Sequence, residues 1–296
     1  MSFGLSHGRI AGVTVTTPDL DAALDDYRDR LGLCLVERGE IAPELAASWG
    51  TPATARSAFA TLKPASGAPC LVRLVEQPVP QDFVPVRSYG WAAYELTVQD
   101  VFGWPAKLVD SGFDIVGPPR AIPGLPYFVA MQMTGRGREM IYLNEVACDT
   151  PTSNLPRAAC PVDHAFIVIL ATPDADATCA WYRDRLQLDI GGRYDIEYTM
   201  INKAFDLPPT HLTTLAMMQK GRLPIVEVDS YPASATVRPG PADRLPAGNA
   251  LVSLAVDDLD ALDLPLIAPP LLIEGRRTAT MRGPAGELIE LIDLRH

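Results

Sequence analysis

Nothing in this sequence points to a membrane, a nucleic acid or a disulfide framework. No apolar run approaches the roughly 20 residues that a membrane-crossing helix needs, and the opening stretch MSFGLSHGRIAG lacks the apolar centre of a secretory leader. A cytoplasmic protein is therefore expected. Basic residues are scarce beside acidic ones, 25 against 36, for a net charge of −11. Without clustered Lys or Arg there is no footprint for a nucleic acid or an anionic membrane surface. The five cysteines, Cys34, Cys70, Cys148, Cys160 and Cys179, are odd in number and contain no CxxC spacing. That argues against both a disulfide scaffold and a zinc cluster, and the expectation is reduced, mostly buried thiols.

What the chain does have is apolar content and repetition. At 296 residues and 48% hydrophobic it can bury a full core, enough for two domains. The stretch YRDRLGL (Tyr27 to Leu33) returns as YRDRLQL (Tyr182 to Leu188), 155 residues on, and the flanks TTPDLDAALDDYRDRL and ATPDADATCAWYRDRL align at that offset without a gap. Each copy opens with an apolar, β-branched run, GVTVTT or FIVILAT, that reads as a buried strand. A helix is expected next. Thr17-Pro18-Asp19 and Thr172-Pro173-Asp174 supply a hydroxyl cap, a proline where the first helical N–H is unbonded anyway, and an acid on the positive end of the dipole. Leu20, Ala23, Leu24, Tyr27 and Leu31 make one apolar stripe, repeated by Ala175, Thr178, Cys179, Tyr182 and Leu186.

Each half divides again, because a new strand signal opens after a glycine at GWAAYELTVQDV and at GNALVSLAVDDLD. Every unit closes on strands near a turn, as in GRGREMIYLNEV and GPAGELIELIDL. The stretch CDTPTSNLPRAACP (Cys148 to Pro161) is the best boundary between domains at 1–149 and 150–296. A Pro-rich connection, Tyr231 to Gly248, interrupts the second half.

The strand and capped helix ending in YRDRLGL, the VDDLD turn and the closing GPAGELIEL together resemble the vicinal oxygen chelate superfamily, which includes glyoxalase I, bleomycin-resistance proteins and type I extradiol dioxygenases. The resemblance covers nearly the whole chain. It implies an α+β fold of tandem βαβββ units, two to each domain, curled into two open, cup-like mixed sheets with helices outside. It leaves the reaction open.

In metal-binding relatives the ligands are a His or Glu on the first strand and a Glu on the last strand of each unit. In the first half the corresponding positions fall on Gly12, Arg73, Ala93 and Tyr142, so no ligand set forms. Arg73, Tyr142 and Glu95 could hold an anion or polar substrate there, or form a buried salt bridge beside a satisfied tyrosine. In the second half Glu227 and Glu290 take both closing positions and Leu251 the third. His164 precedes the first-strand position, Ile167, by three residues, and strand alternation turns it to the opposite face unless the strand bulges. Two carboxylates in one cup are costly unless paired or metal-bound. Glu227 and Glu290 are thus the expected catalytic pair, joined by His164 around one divalent ion, or working without an ion as general base and protonated partner. Asp229, Tyr231 and Asn249, and Tyr198, Asn202 and His211 in the aromatic- and Met-containing insert YTMINKAFDLPPTHLTTLAMM, are the expected substrate contacts, with ordinary core as the alternative for that insert.

The resulting expectation is a small-molecule lyase or isomerase acting on an apolar oxygenated metabolite, aromatic or not, in the C-terminal cup. The alternative is a metal-free protein that binds and sequesters such a molecule. A ring-cleaving dioxygenase is a third reading, disfavoured because it needs two histidines and a carboxylate around iron. Four units complete both cups in one chain, so monomer and homodimer are both allowed.

Overall fold

A computed structural model of the chain describes residues 4–122, 124–273 and 275–295. The first three residues of the opening stretch, and the outer ends of the two expected domains at 1 and 296, lie outside it.

Four units follow one another. The first holds β1 (Ile10–Thr17), α1 (Leu20–Asp25), β2 (Cys34–Glu40), α2 (Pro43–Ser48), β3 (Ala58–Lys63) and β4 (Leu71–Glu76). The second holds β5 (Gly90–Val98), α3 (Trp104–Lys107), β6 (Asp114–Ile122), β7 (Leu125–Thr134) and β8 (Met140–Val146). The third holds β9 (Val162–Thr172), α4 (Ala175–Leu186), β10 (Asp189–Glu197), α5 (Thr199–Ala204), β11 (Leu212–Lys220) and β12 (Leu223–Ser230). The fourth holds β13 (Asn249–Val256), β14 (Leu271–Ile273), β15 (Arg276–Arg282) and β16 (Leu288–Asp293). The units build two curled, open, mixed sheets of eight strands.

The sheets do not follow the two halves. One runs β14-β15-β16-β13-β1-β4-β3-β2, uniting units one and four, and the other runs β10-β11-β12-β9-β5-β8-β7-β6, uniting units two and three. The pairings that decide this are antiparallel, β1 with β13 and β5 with β9. The stretch expected to separate two domains joins units two and three of a single sheet. Adjacent copies pair across residues 147–161, whereas the first and last copies meet from opposite ends of the chain. Sequence repetition counts units and is silent about which unit neighbours which.

The helix caps also sit two residues later than the sequence suggests. The helices start at Leu20 and Ala175, and it is Asp19 Oδ1 and Asp174 Oδ1 that accept from Ala22 N and Ala177 N, each at 2.9 Å. Thr17 and Thr172 brace the turn before the cap by donating to the carbonyls of Asp19 and Asp174. α4 is a regular helix, while α1 widens into a π-type turn over Asp26–Arg30, where Asp26 accepts from Gly112 N and Arg136 Nε.

β1 and β9 are buried on both faces. Val13 and Val15, like Val168 and Leu170, join Leu20, Tyr27, Cys179 and Tyr182 in the main core shared by the helices and both sheets. The alternate residues Thr14 and Ile169 fall on the opposite, cup-facing side, as strand alternation requires. In YRDRL the Tyr and Leu are buried and the Arg-Asp-Arg run is exposed. Each Tyr also ties one sheet to the other: Tyr27 Oη donates to Glu139 Oε1 at 2.8 Å, and Tyr182 Oη to Glu287 Oε1 at 2.7 Å. Both acids fold back over a tight turn at Gly135 or Gly283, where a Cβ would collide with the carboxylate.

Candidate active site in the cup of units two and three

The four closing-strand positions read from sequence occupy equivalent places. Arg73 pairs with Thr14 and Glu227 with Ile169 across parallel strands, while Tyr142 pairs with Glu95 and Glu290 with Ser253. Their grouping differs from expectation. Glu227 shares its sheet with Tyr142 and Glu95, and Glu290 shares its sheet with Arg73. The expected carboxylate pair is therefore split between two cups.

The cup of units one and four is filled. Trp49, fully buried at the end of α2, packs with Ile41, Leu251 and Leu288. Its Nε1 donates to Glu290 Oε1 at 2.9 Å, and Ser253 Oγ donates to Glu290 Oε2 at 2.5 Å. The Arg73 guanidinium lies 3.7 Å from Glu290 and 5.2 Å from the centre of the Trp49 ring. Glu290 has a partner on each oxygen and an opposing charge. It is an ion pair packed against Trp49, with the Glu290 carboxylate buried.

The cup of units two and three is open. A cavity of about 240 Å³ is lined by Glu95, Glu227, Tyr142 and Tyr198, by apolar side chains that include Phe128, Met200 and Leu215, and near its rim by Arg120 and Lys203. Tyr198 caps α5 and brings its hydroxyl 3.0 Å from that of Tyr142 and 3.4 Å from Glu227 Oε1. Asp229 follows two residues after Glu227 on β12, so it shares that strand face. Asn144 Nδ2 donates to Glu95 Oε2 at 2.5 Å.

Three buried carboxyl groups in one cup cannot all be ionised. Burial raises Glu227 to about 7, and burial together with the charge of Glu227 raises Glu95 and Asp229 well above the usual carboxylate range. With all three ionised, neither Asp229 oxygen would find a donor. A proton shared between Asp229 and Glu227 satisfies both. Burial also holds the hydroxyls of Tyr142, Tyr198 and Tyr231 protonated, so they remain donors. The arrangement supplies one carboxylate that ionises near neutrality, two neutral acids and tyrosine hydroxyls beside it.

Other expected contacts lie elsewhere. Tyr231 packs edge-on to Phe205, ring centres 5.6 Å apart, in the core around the acids. Asn202 holds the loop after α5, donating to the carbonyls of Pro209 and His211, and the side chain of His211 is exposed. Asn249 clips the sheets together by accepting from Met140 N at 2.9 Å and donating to Met140 O at 3.1 Å. His164 is buried against Asp163, their side chains 3.1 Å apart. It lies five residues before Ile169, the partner of Glu227, or roughly 16 Å along the strand.

The metal set of His164, Glu227 and Glu290 therefore does not converge. Nor do the four strand positions of the open cup, Glu95, Tyr142, Ile169 and Glu227, include the histidines that a ring-cleaving iron site requires. Among the described residues no three His, Cys, Asp or Glu side chains stand where they could hold one ion. The donor set does not fit a resident divalent metal. Asn144 and Phe128 are not among the site residues read from the sequence, and Met200 enters only as part of the aromatic- and Met-containing insert. Strand alternation from Tyr142 marks Asn144, whereas the others are placed by β7 and α5 folding over the cup.

Solved structures share this architecture. Glyoxalase I from Zea mays superposes with a TM-score of 0.64 at 16% identity, over 96% of this chain and 92% of that one. A variant of the same enzyme gives 0.65 at 17%, over 96% and 93%. The chain has the vicinal oxygen chelate fold. A Bacillus subtilis protein provisionally described as a dioxygenase also shows this fold, with a TM-score of 0.63 at 10% identity, over 98% of this chain and 86% of that one. No family model matches the sequence, and no curated protein sequence matches it. Among the described residues no helix is long and apolar enough to cross a membrane.

Proposed function

We propose that the protein is a small-molecule lyase or isomerase that works by acid–base chemistry in the cup of units two and three, on an apolar, oxygenated metabolite. One observation carries this reading: the Glu227 carboxyl opens onto an otherwise largely apolar cavity, within reach of a tyrosine hydroxyl. Ionised Glu227 is the base. It takes a proton from a carbon next to a carbonyl, and the electron pair of the broken C–H bond moves onto the carbonyl oxygen. Tyr198 and Tyr142 supply hydroxyls to that oxygen, where the charge develops. In a hydroxyketone, return of the proton to the former carbonyl carbon, with the neighbouring hydroxyl proton passing to the other oxygen, gives an isomer, and expulsion of a group from the carbon next to the deprotonated one gives a lyase product.

A binding role has one observation in its favour. No arginine or lysine is among the groups acting on Glu95, Glu227 and Asp229, so a cationic ligand would supply the missing positive charge. Incubating a panel of ketones and hydroxyketones with the protein in D2O, and following the α-proton signals by NMR, separates the two. Exchange or conversion that is lost in Glu227→Gln supports the enzyme. Saturable binding of an organic cation with no exchange on any ketone supports sequestration. Conversion that survives in Glu227→Gln removes the proposed base.

A further inference from the structure

A second hollow, of about 400 Å³, lies where the Pro-rich connection passes the junction of the two sheets. Its walls come from the start of β5, from residues 237–246, from the start of β13 and from the turn between β15 and β16. Three arginines line it: Arg238, Arg244 and Arg282. In a chain with 36 acids and 25 bases this is a local reversal of sign. Among the described residues the single acid in the lining is Glu287, and its oxygens are taken by Tyr182 Oη and Ala285 N.

Among the described residues the arginines have no counter-charge. Arg238 is held rigidly: its N–H groups donate to Ser88 Oγ and to the carbonyls of Ala247, Asn249 and Trp91, and Phe83 lies 5.5 Å beneath it. Every one of those partners is neutral. Burial lowers its pKa only to about 10, so it stays charged at neutral pH. Among the described residues the Arg244 side chain has no hydrogen-bond or ion-pair partner, and that of Arg282 has only the Gly286 carbonyl at 3.4 Å. A guanidinium presents paired N–H donors in a plane that matches carboxylate and phosphate oxygens. Here two uncommitted guanidiniums, joined by the charge of Arg238, whose N–H groups are largely spent on the fold, border a cavity within the usual size range of small-molecule sites.

We propose that this crevice binds a small oxyanion carrying two or more negative charges, a phosphate ester or a polycarboxylate, between Arg238, Arg244 and Arg282. The site is separate from the acid-lined cup and has the opposite charge preference. An anion seated there would join the Pro-rich connection to the β15–β16 turn, and so brace the seam between the sheets.

The test is isothermal titration calorimetry at constant ionic strength, with inorganic phosphate and citrate as probes and sodium chloride as the balancing salt. Arg244→Gln and Arg282→Gln are the variants, because neither removes a strong contact within the fold. Saturable 1:1 binding of either probe, weakened at least tenfold in both variants and unchanged in Glu227→Gln, is the expected result. Phosphate binding alone marks a phosphate ester as the natural ligand class, and citrate binding alone a polycarboxylate. The proposal is overturned if neither probe binds, or if both variants bind as the parent does.

Discussion

Arg73 Nη1 lies 3.7 Å from Glu290 Oε1, across the seam where the first and fourth units share a sheet. That contact and Trp49 occupy the cup of units one and four. Two of the four equivalent strand positions carry opposite charges that neutralise each other over Trp49, and the other two carry Glu227 and Tyr142, which do not. Asymmetry between otherwise equivalent cups leaves one packed and the other open.

Replacing Glu290 by Gln should therefore cost stability and spare the open cup. The change keeps an acceptor for Trp49 but leaves the Arg73 charge unpaired. That side chain is only 18% exposed, and the expected loss is about 2 kcal/mol. Urea unfolding reads it, and Arg73→Met in the same chain should recover most of it. Ligand binding or turnover should stay within about twofold of the parent. Loss of activity in Glu290→Gln without loss of stability would place the chemistry in the cup of units one and four.

Glu227→Gln should abolish conversion of any substrate found in the NMR screen. In the parent, kcat/KM should rise with pH and level off above about 7, because the base works ionised and burial has raised its carboxyl to that value. Tyr198→Phe should lower kcat more than it raises KM, since the hydroxyl is needed most when charge reaches the substrate oxygen. A pH profile that falls through neutrality would assign Glu227 the role of acid instead.

Much of this was legible in the sequence, and what was not has a physical cause. Periodicity, the repeated YRDRL and the closing turns count four units, because each depends on residues close in the chain, and the resemblance to the vicinal oxygen chelate superfamily then marks Arg73, Tyr142, Glu227 and Glu290 on the closing strands. The partnership of Arg73 with Glu290, and of Glu227 with Glu95, depends on which first strands pair. β1 meets β13 and β5 meets β9 through pairings whose strands are alike in composition, so nothing local in Val13 or Val252 distinguishes one partner from another. Trp49 was equally hidden. Its role comes from α2 folding inward over one cup, while α5 in the other unit leaves space beneath Tyr198.

Stability should fall as pH rises toward and through 7. Burial raises both Glu139 and Glu227 from 4.5 to about 7, so the folded chain binds more protons than the unfolded chain between those values. Their stabilising contribution is complete below about pH 4.5 and is lost as pH climbs through 7, up to roughly 3 kcal/mol for each group taken alone. Unfolding free energies measured at pH 5, 6, 7 and 8 should decline in the parent. The decline should be shallower in Glu227→Gln and in Glu139→Gln, and equal slopes in all three proteins would remove these two groups as its source.

The Tyr182–Glu287 link between the sheets can be weighed with less ambiguity than its counterpart, since Tyr27 also meets the hydroxyl of Tyr94 at 3.0 Å. Tyr182→Phe removes one buried donor and leaves Glu287 Oε1 without it. The expected cost is about 1–2 kcal/mol of unfolding free energy. Glu287→Gln keeps an acceptor for Tyr182 but weakens the bond, and the double variant should lose less than the two single losses combined, with a coupling of about 1 kcal/mol. Conversion in the open cup should be unchanged in all three, because neither residue lines that cavity. A coupling indistinguishable from zero would mean that this hydrogen bond adds nothing to the apolar core and the other links between the sheets, with Tyr182 serving only as packing.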